Sequence, residues 1–148
     1  MKSAWYNKSI LPTEMVKGIN GKLGWPKLEN SWHFKYLDDA IKSCGKITSI
    51  IDLGCGGGEV GRVYKNINYI GYDLSHIIEK VGRITNPDLH YKEFDAFTTD
   101  FNFCNDADIV LSNSFITELN NCTEILDKIF SKSNKYIILH RQKFNNNK

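Results

Sequence analysis

The stretch Ile50 to Gly61, IIDLGCGGGEVG, constrains this chain more than any other. An apolar run carrying Asp52 passes directly into four glycines within five residues, Gly54, Gly56, Gly57 and Gly58, and then into helix-forming sequence. A strand does not end this way merely to turn. Glycine is needed where the backbone takes positive φ, and where a ligand must approach the chain more closely than a Cβ allows. The following helix begins near Gly58 and aims its free N–H groups at the same crevice.

From about Lys46 onward, short apolar runs alternate with amphipathic stretches, the pattern of a parallel sheet with helices on its faces. Strands are expected at Ile47 to Leu53, Tyr69 to Tyr72, Leu89 to Phe94, Asp108 to Leu111 and Tyr136 to Leu139. Ser31 is placed to cap a helix with Phe34, Leu37 and Ile41 inward and Gly45 at its end. Ser75 is placed to cap another, with Ile77, Ile78, Val81 and Ile84 on one face and Pro87 beyond it. Asn121 and Glu124 resemble a capping box ahead of a helix that buries Ile125, Leu126, Ile129 and Phe130. Residues 1 to 30 hold three glycines, two prolines and the aromatics Trp5, Tyr6 and Trp25 without a sustained period, and read as an arm or lid on a domain formed by residues 31 to 148. Asn145 to Asn147 read as a frayed end.

The length of 148 residues allows one core and excludes a multidomain machine. A formal charge of +2 gives no field for nonspecific capture of polyanions, so nucleic acid is unsupported though not excluded. No apolar run approaches the roughly 18 to 20 residues of a membrane span, and the N-terminus carries no signal-like stretch, so a cytoplasmic protein is expected. Cys44, Cys55, Cys104 and Cys122 form no CxxC pair, and His33, His76, His90 and His140 never fall at helical ligand spacing, so neither a metal nor a disulfide framework is expected.

Asp52 followed by Gly54, Gly56 and Gly58 resembles the first signature of class I S-adenosylmethionine (SAM) dependent methyltransferases, an acidic residue followed by GxGxG. Gly56, Gly58 and Gly61 also spell the GxGxxG of dinucleotide folds, but that fingerprint wants its first glycine at the strand end and no acid at Asp52. Asp73, at the end of the second strand, is positioned for ribose hydroxyls in either family. Asp95, after the third strand, resembles the methyltransferase residue that accepts from the adenine amino group. The resemblance runs from about Ile47 to Leu139 and implies a Rossmann-like α/β three-layer sandwich with a mostly parallel sheet. It implies SAM as cofactor and S-adenosylhomocysteine (SAH) as product. Gly54, Cys55 and Gly56 would pass close to the methionine part, with Gly58 completing the loop and Asp52 ordering it or facing the ammonium. Asp73 would hold the ribose, and Leu74, Asp95 and Ala96 would clasp the adenine.

The fourth strand runs into Ser112-Asn113-Ser114-Phe115, where the family places residues beside the transferred methyl. This is not the (N/D)PP(Y/F) of amino-directed DNA methyltransferases. Asn113 would contact cofactor or acceptor, unless the Ser-Asn-Ser turn simply caps the next helix. After the fifth strand, His140 is a candidate general base and Arg141 a candidate holder of an anionic acceptor group, alongside Gln142. Trp25, Trp32 and Tyr6 are candidates for the acceptor's apolar wall, or pin the arm to the domain.

Two departures from the family pattern stand out. Only nine residues follow Leu139, so the usual last two strands are expected to be missing, which leaves the fifth strand at an edge that the arm, a second copy or further chain would cover. Phe97 to Asp106 is also too short for a full helix. Three functions stay open: methyl transfer to an unidentified acceptor, a noncatalytic or truncated SAM-fold module, and a dinucleotide-dependent oxidoreductase.

Overall fold

The structure, a computed structural model, describes residues 11–142. Trp5, Tyr6 and Asn145 to Asn147 lie outside the described residues. Five short strands form the sheet: β1 (Ser49–Leu53), β2 (Asn68–Asp73), β3 (His90–Glu93), β4 (Ile109–Asn113) and β5 (Tyr136–His140). All pairings are parallel, in the order β3-β2-β1-β4-β5. The chain thus winds outward from β1 in one direction and restarts beside it with β4. This reversal opens a crevice at the C-terminal ends of β1 and β4, where open α/β sheets bind ligands.

Alternation along the strands divides the core into two layers. Ile51, Leu53, Tyr72 and Val110 face a cluster with Phe94, Ile116 and, from helix α5 (Cys122–Lys132), Ile125 and Ile129. Ile50, Tyr69, Ile109, Leu111 and Ile138 face the other side. There they meet Leu37 and Ile41 of α2 (Phe34–Ser43) and Val60 of α3 (Glu59–Val63). Strands covered on both faces explain why β1 and β4 read as continuous apolar runs.

Helix boundaries depart from the sequence expectations in instructive ways. Ser31 does not cap α2. Its hydroxyl donates to the Leu28 carbonyl at 2.6 Å, closing a 3₁₀ turn (Leu28–Asn30), and His33 precedes the first helical residue. Ser75 opens the helical segment α4 (residues 75–85) from inside, without a side-chain cap. That segment passes through a π stretch, Ile78–Gly82. Each i→i+5 turn takes in an extra residue, so the positions beyond it are rotated about the axis. Ile77, Ile78 and Val81 stay buried as expected, whereas Ile84 swings outward to 60% exposure. Phe130, at the margin of the α5 stripe, is likewise exposed. The Asn121–Glu124 pair meets side chain to side chain at 3.1 Å rather than through the backbone. Between β3 and β4 there is only a 3₁₀ turn, Asn102–Asp106, as the short spacing requires.

One helix was not legible from the sequence pattern: α1 (Leu11–Ile19), with Pro12 in its first turn and a Glu14–Lys17 ion pair at 2.8 Å. Among the described residues no helix is long and apolar enough to cross a membrane.

The packing of α3 on β2 depends on Gly61. A Cβ there would lie 2.5 Å from the Tyr69 ring, which is only 5% exposed and whose hydroxyl is fastened to Asp52. Gly61→Ala should lower the free energy of unfolding by about 1–3 kcal/mol through overpacking, seen as a lower urea midpoint. An unchanged midpoint would mean that the ring has room to retreat.

Candidate cofactor site

A cavity of about 630 Å³ opens at the crevice between β1 and β4, within the ~300–1,000 Å³ typical of small-molecule sites. Its floor is the loop after β1. Gly54 and Cys55 donate their N–H groups to the Tyr72 carbonyl at 2.8 and 3.2 Å, so the loop folds across the end of β2. The Asp73 carboxylate then takes the Gly56 N–H on Oδ2 and the Leu74 N–H on Oδ1, both at 2.8 Å. Farther along, Asn86 and Thr85 donate to the Gly57 carbonyl at 2.6 and 3.0 Å, tying the loop to the end of α4. Gly58 takes φ of 72° just before α3, a left-handed conformation in which a side chain would be strained.

Under the loop lies an acid held away from water. Asp52 is 2% exposed, and its Oδ2 accepts the Tyr69 hydroxyl at 2.7 Å. Parallel register sets Gly71 of β2 opposite Asp52, and a side chain at Gly71 would lie 2.7 Å from Cys55 Sγ and 3.2 Å from the Tyr69 hydroxyl. The bare glycine leaves the slot through which Tyr69 reaches Asp52. Asp52 Oδ1 is buried with no hydrogen-bond partner, and Asp52 lines the cavity. Burial pushes its pKa up to about 7, Tyr69 opposing and Asp73 adding to the rise. Desolvation also raises Asp73, to about 6, against the pull of its two N–H donors. The Cys55 thiol is pushed well up by burial and by the two carboxylates, so it stays protonated and unreactive.

Most of the candidate residues meet here. Asp52, Gly54, Cys55, Gly56, Asp73, Leu74, Ala96, Asn113 and Arg141 line the one cavity, and Gly58 supports the loop from behind. Asn113 Oδ1 is a second buried acceptor without a partner. Neither Asn113 nor Ser114 caps the 3₁₀ turn Ile116–Glu118 that follows β4. Asp95 does not line the cavity: its Oδ1 accepts the Phe97 N–H at 2.9 Å, an Asx turn that leaves Ala96 and Phe94 to face inward. His140 also lies outside the lining. It is buried behind His33, with His33 Nδ1 and His140 Nε2 3.1 Å apart. Burial, then His33 and Arg141, push His140 down to about 4, and burial with Arg141 lowers His33 as well. The imidazole that reaches the cavity is therefore His33, which sequence spacing could not single out, since its partner is 107 residues away.

The remaining wall comes from the stretch before α2. Trp25 and Trp32 line the cavity, as do Met15 and Ile19 of α1. The close approach to the glycines is made in this structure by the protein itself: Met15 rests over Gly56 and Phe115 over Gly54, where a Cβ would collide with either. The stretch is fastened at its base by Arg62, which bridges Glu59 of α3 and Glu29 of the 3₁₀ turn. That bridge holds Glu29 down to about 2.

No family model matches the sequence, and no curated protein matches it. Solved structures do. The SAM-bound amino pentose methyltransferase of calicheamicin biosynthesis from Micromonospora echinaspora superposes with a TM-score of 0.61 at 18% identity, over 78% of this chain and 52% of that one. The SAM-dependent methyltransferase from Mesorhizobium loti gives 0.55 at 20%, over 72% and 50%. The family 2 O-methyltransferase from Planctomyces limnophilus, in complex with apigenin, gives 0.58 at 15%, over 86% and 40%. The chain spans about half the length of these proteins or less. Gly61 packs closely against β2, a role that third glycine has in dinucleotide folds too, so it does not separate the families. Strand order and these likenesses together show that the chain has the Rossmann-like fold of class I SAM-dependent methyltransferases.

Proposed function

We propose that this chain binds SAM in the cavity at the β1/β4 crevice and transfers its methyl group to an acceptor. The observation that carries this reading is the convergence of Asp52, with its orphaned Oδ1, and Asp73 on one cavity floored by the glycine loop. A buried acceptor without a donor costs about 1–3 kcal/mol, and it is tolerated where a bound cation or N–H completes it. The fit extends to the apolar side chains: Leu74 and Ala96 flank the end of the cavity next to Asp73.

Bound there, SAM supplies an electrophilic methyl on a sulfonium, which an O, N or S nucleophile displaces in line. The residues of this chain bind, orient and exclude water. Asp73 would accept from ribose hydroxyls with lone pairs left over from its two backbone bonds. Asp52 would face the ammonium, and Asn113 Oδ1 a donor on either ligand. Met15 and Phe115, now lying on the glycines, would yield or form the walls of the filled site. Residues 11–33 would act as a lid that keeps water out, which strengthens every polar contact inside. Where the acceptor must lose a proton, His33 stands at the cavity as its receiver, oriented by His140. Positioning supplies the larger share of the acceleration.

Calorimetric titration with SAH and, separately, with NADH tests the reading: SAH should bind and NADH should not. NADH binding without any SAH response would transfer the chain to the oxidoreductase alternative. Asp73→Ala should weaken SAH by about 1–3 kcal/mol through lost hydroxyl bonds, and an unchanged affinity would show that the ribose end is misassigned.

The raised pKa values add a signed expectation. Below about pH 7 the Asp52 carboxyl is increasingly neutral in the free protein. A ligand ammonium favours the anion, so binding must expel a proton. Affinity for SAH should therefore rise from about pH 5.5 to about pH 8 and then level off. Asp52→Asn should flatten the curve. Titration at about pH 6.5 in two buffers of different ionisation heat should show proton release, and its absence would mean that Asp52 does not meet the ligand.

A further inference from the structure

The strand order works as a ruler across the cavity. Asp73, Asp52, Asn113 and Arg141 stand at the C-terminal ends of β2, β1, β4 and β5, four neighbouring strands. Three strand spacings of about 4.8 Å separate the ends of the row by roughly 14 Å. The acids lie at the cofactor end. At the far end stands Arg141, the one lysine or arginine among the described residues that line the cavity. Glu118 lines the cavity as well, yet among the described residues no ion pair joins Arg141 to it or to any other carboxylate. Burial lowers the pKa of both imidazoles beside Arg141, so its guanidinium is the cation of that end, where Glu118 is the carboxylate that shares the lining.

The backbone there is held in a conformation that side chains resist. Arg141 has φ of 54° and Ser114, just past the end of β4, has 58°. Such a residue is strained and persists only where its surroundings over-determine it. They do so here. The Ser114 N–H donates to the His140 carbonyl at 2.9 Å, and the Ser114 hydroxyl to the Arg141 carbonyl at 3.1 Å. The Gln142 amide donates to the carbonyls of Ser112 and His140, both at 2.9 Å, while its oxygen accepts the Thr117 N–H at 3.3 Å. Flat aromatic surface completes the mouth. Trp32 is 82% exposed and meets His33 edge to face at 5.6 Å, and Trp25 is 51% exposed.

Resting on the methyltransferase reading, we infer that the β5 end of the cavity takes a planar acceptor carrying a carboxylate, its ring against Trp32 and its charge on Arg141. A guanidinium matches a carboxylate bidentately, and indole faces offer apolar area to a ring. An exposed tryptophan and an arginine with no ion pair among the described residues together favour such a molecule over a neutral aliphatic one.

Three probes separate the elements of this inference: 4-hydroxybenzoate, its neutral amide, and cyclohexanecarboxylate. Each is titrated by calorimetry and tryptophan fluorescence, with and without saturating SAH. 4-Hydroxybenzoate should bind alongside SAH, and about tenfold or more tighter than the amide. It should also exceed cyclohexanecarboxylate. Arg141→Gln should erase the preference over the amide, and Trp32→Ala the preference over the saturated acid, in variants whose thermal melting shows them folded. Equal binding of acid and amide to the unaltered protein, displacement of the acid by SAH, or binding of none of the probes to protein that binds SAH overturns the inference. Failure of SAH itself to bind is a separate result that strikes the methyltransferase reading.

Discussion

The carboxylate of Asp73 holds the site together. It accepts the N–H groups of Gly56 and Leu74, one on each oxygen, and so joins the glycine loop after β1 to the helical segment after β2. Hydrogen bonds to an ionised acceptor are roughly twice as strong as neutral ones. Without this clamp, the loop would keep the Tyr72 carbonyl and its ties to Thr85, Asn86 and Tyr91. With it, the floor of the cavity has a fixed shape before any ligand arrives. The same two bonds aim the carboxylate at the crevice, so one side chain both builds the site and takes part in it.

The second determinant is beneath the floor. Tyr69, Gly71 and Asp52 make a unit across β2 and β1: the small residue clears a slot, the phenol fills it, and its hydroxyl satisfies one oxygen of the acid. The other oxygen is left without a partner. A fully satisfied carboxylate would have been a structural residue, and an exposed one would have been solvated. Asp52 is neither, and its raised pKa reports the same fact in protonation terms.

The sheet was legible in the sequence because its strands, apart from the polar edge strand β3, are short runs rich in apolar residues bounded by turn residues, and five were expected where five occur. The glycine loop and the acids at the ends of β1 and β2 were legible because ligand-facing loops need residue types that ordinary turns do not. The hidden features have physical reasons. The π stretch in 78–82 breaks the helical phase, so Ile84 points outward although its spacing says inward. Asp95 occupies a strand end like Asp73, but its own chain two residues on supplies the donor and draws it into a turn. His33 pairs with His140 across most of the chain, a contact that only folding creates. Helix α1 is only nine residues long and carries Pro12 and Gly18, which read as an arm, and its partners are the glycine loop and α4 rather than the main core, as Met15 over Gly56 and Ile19 over Gly57 show.

Central to the proposed function is that the acids at the ends of β1 and β2 receive one adenosine-bearing ligand. A crystal structure of the chain with SAH tests this most directly. It should show the ligand along the β2–β1–β4 end of the cavity, its ribose on Asp73, its amino group at Asp52, and Met15 lifted from Gly56 or packed against the ligand. SAH bound elsewhere on the molecule, with Asp52 Oδ1 still unpartnered, would contradict it.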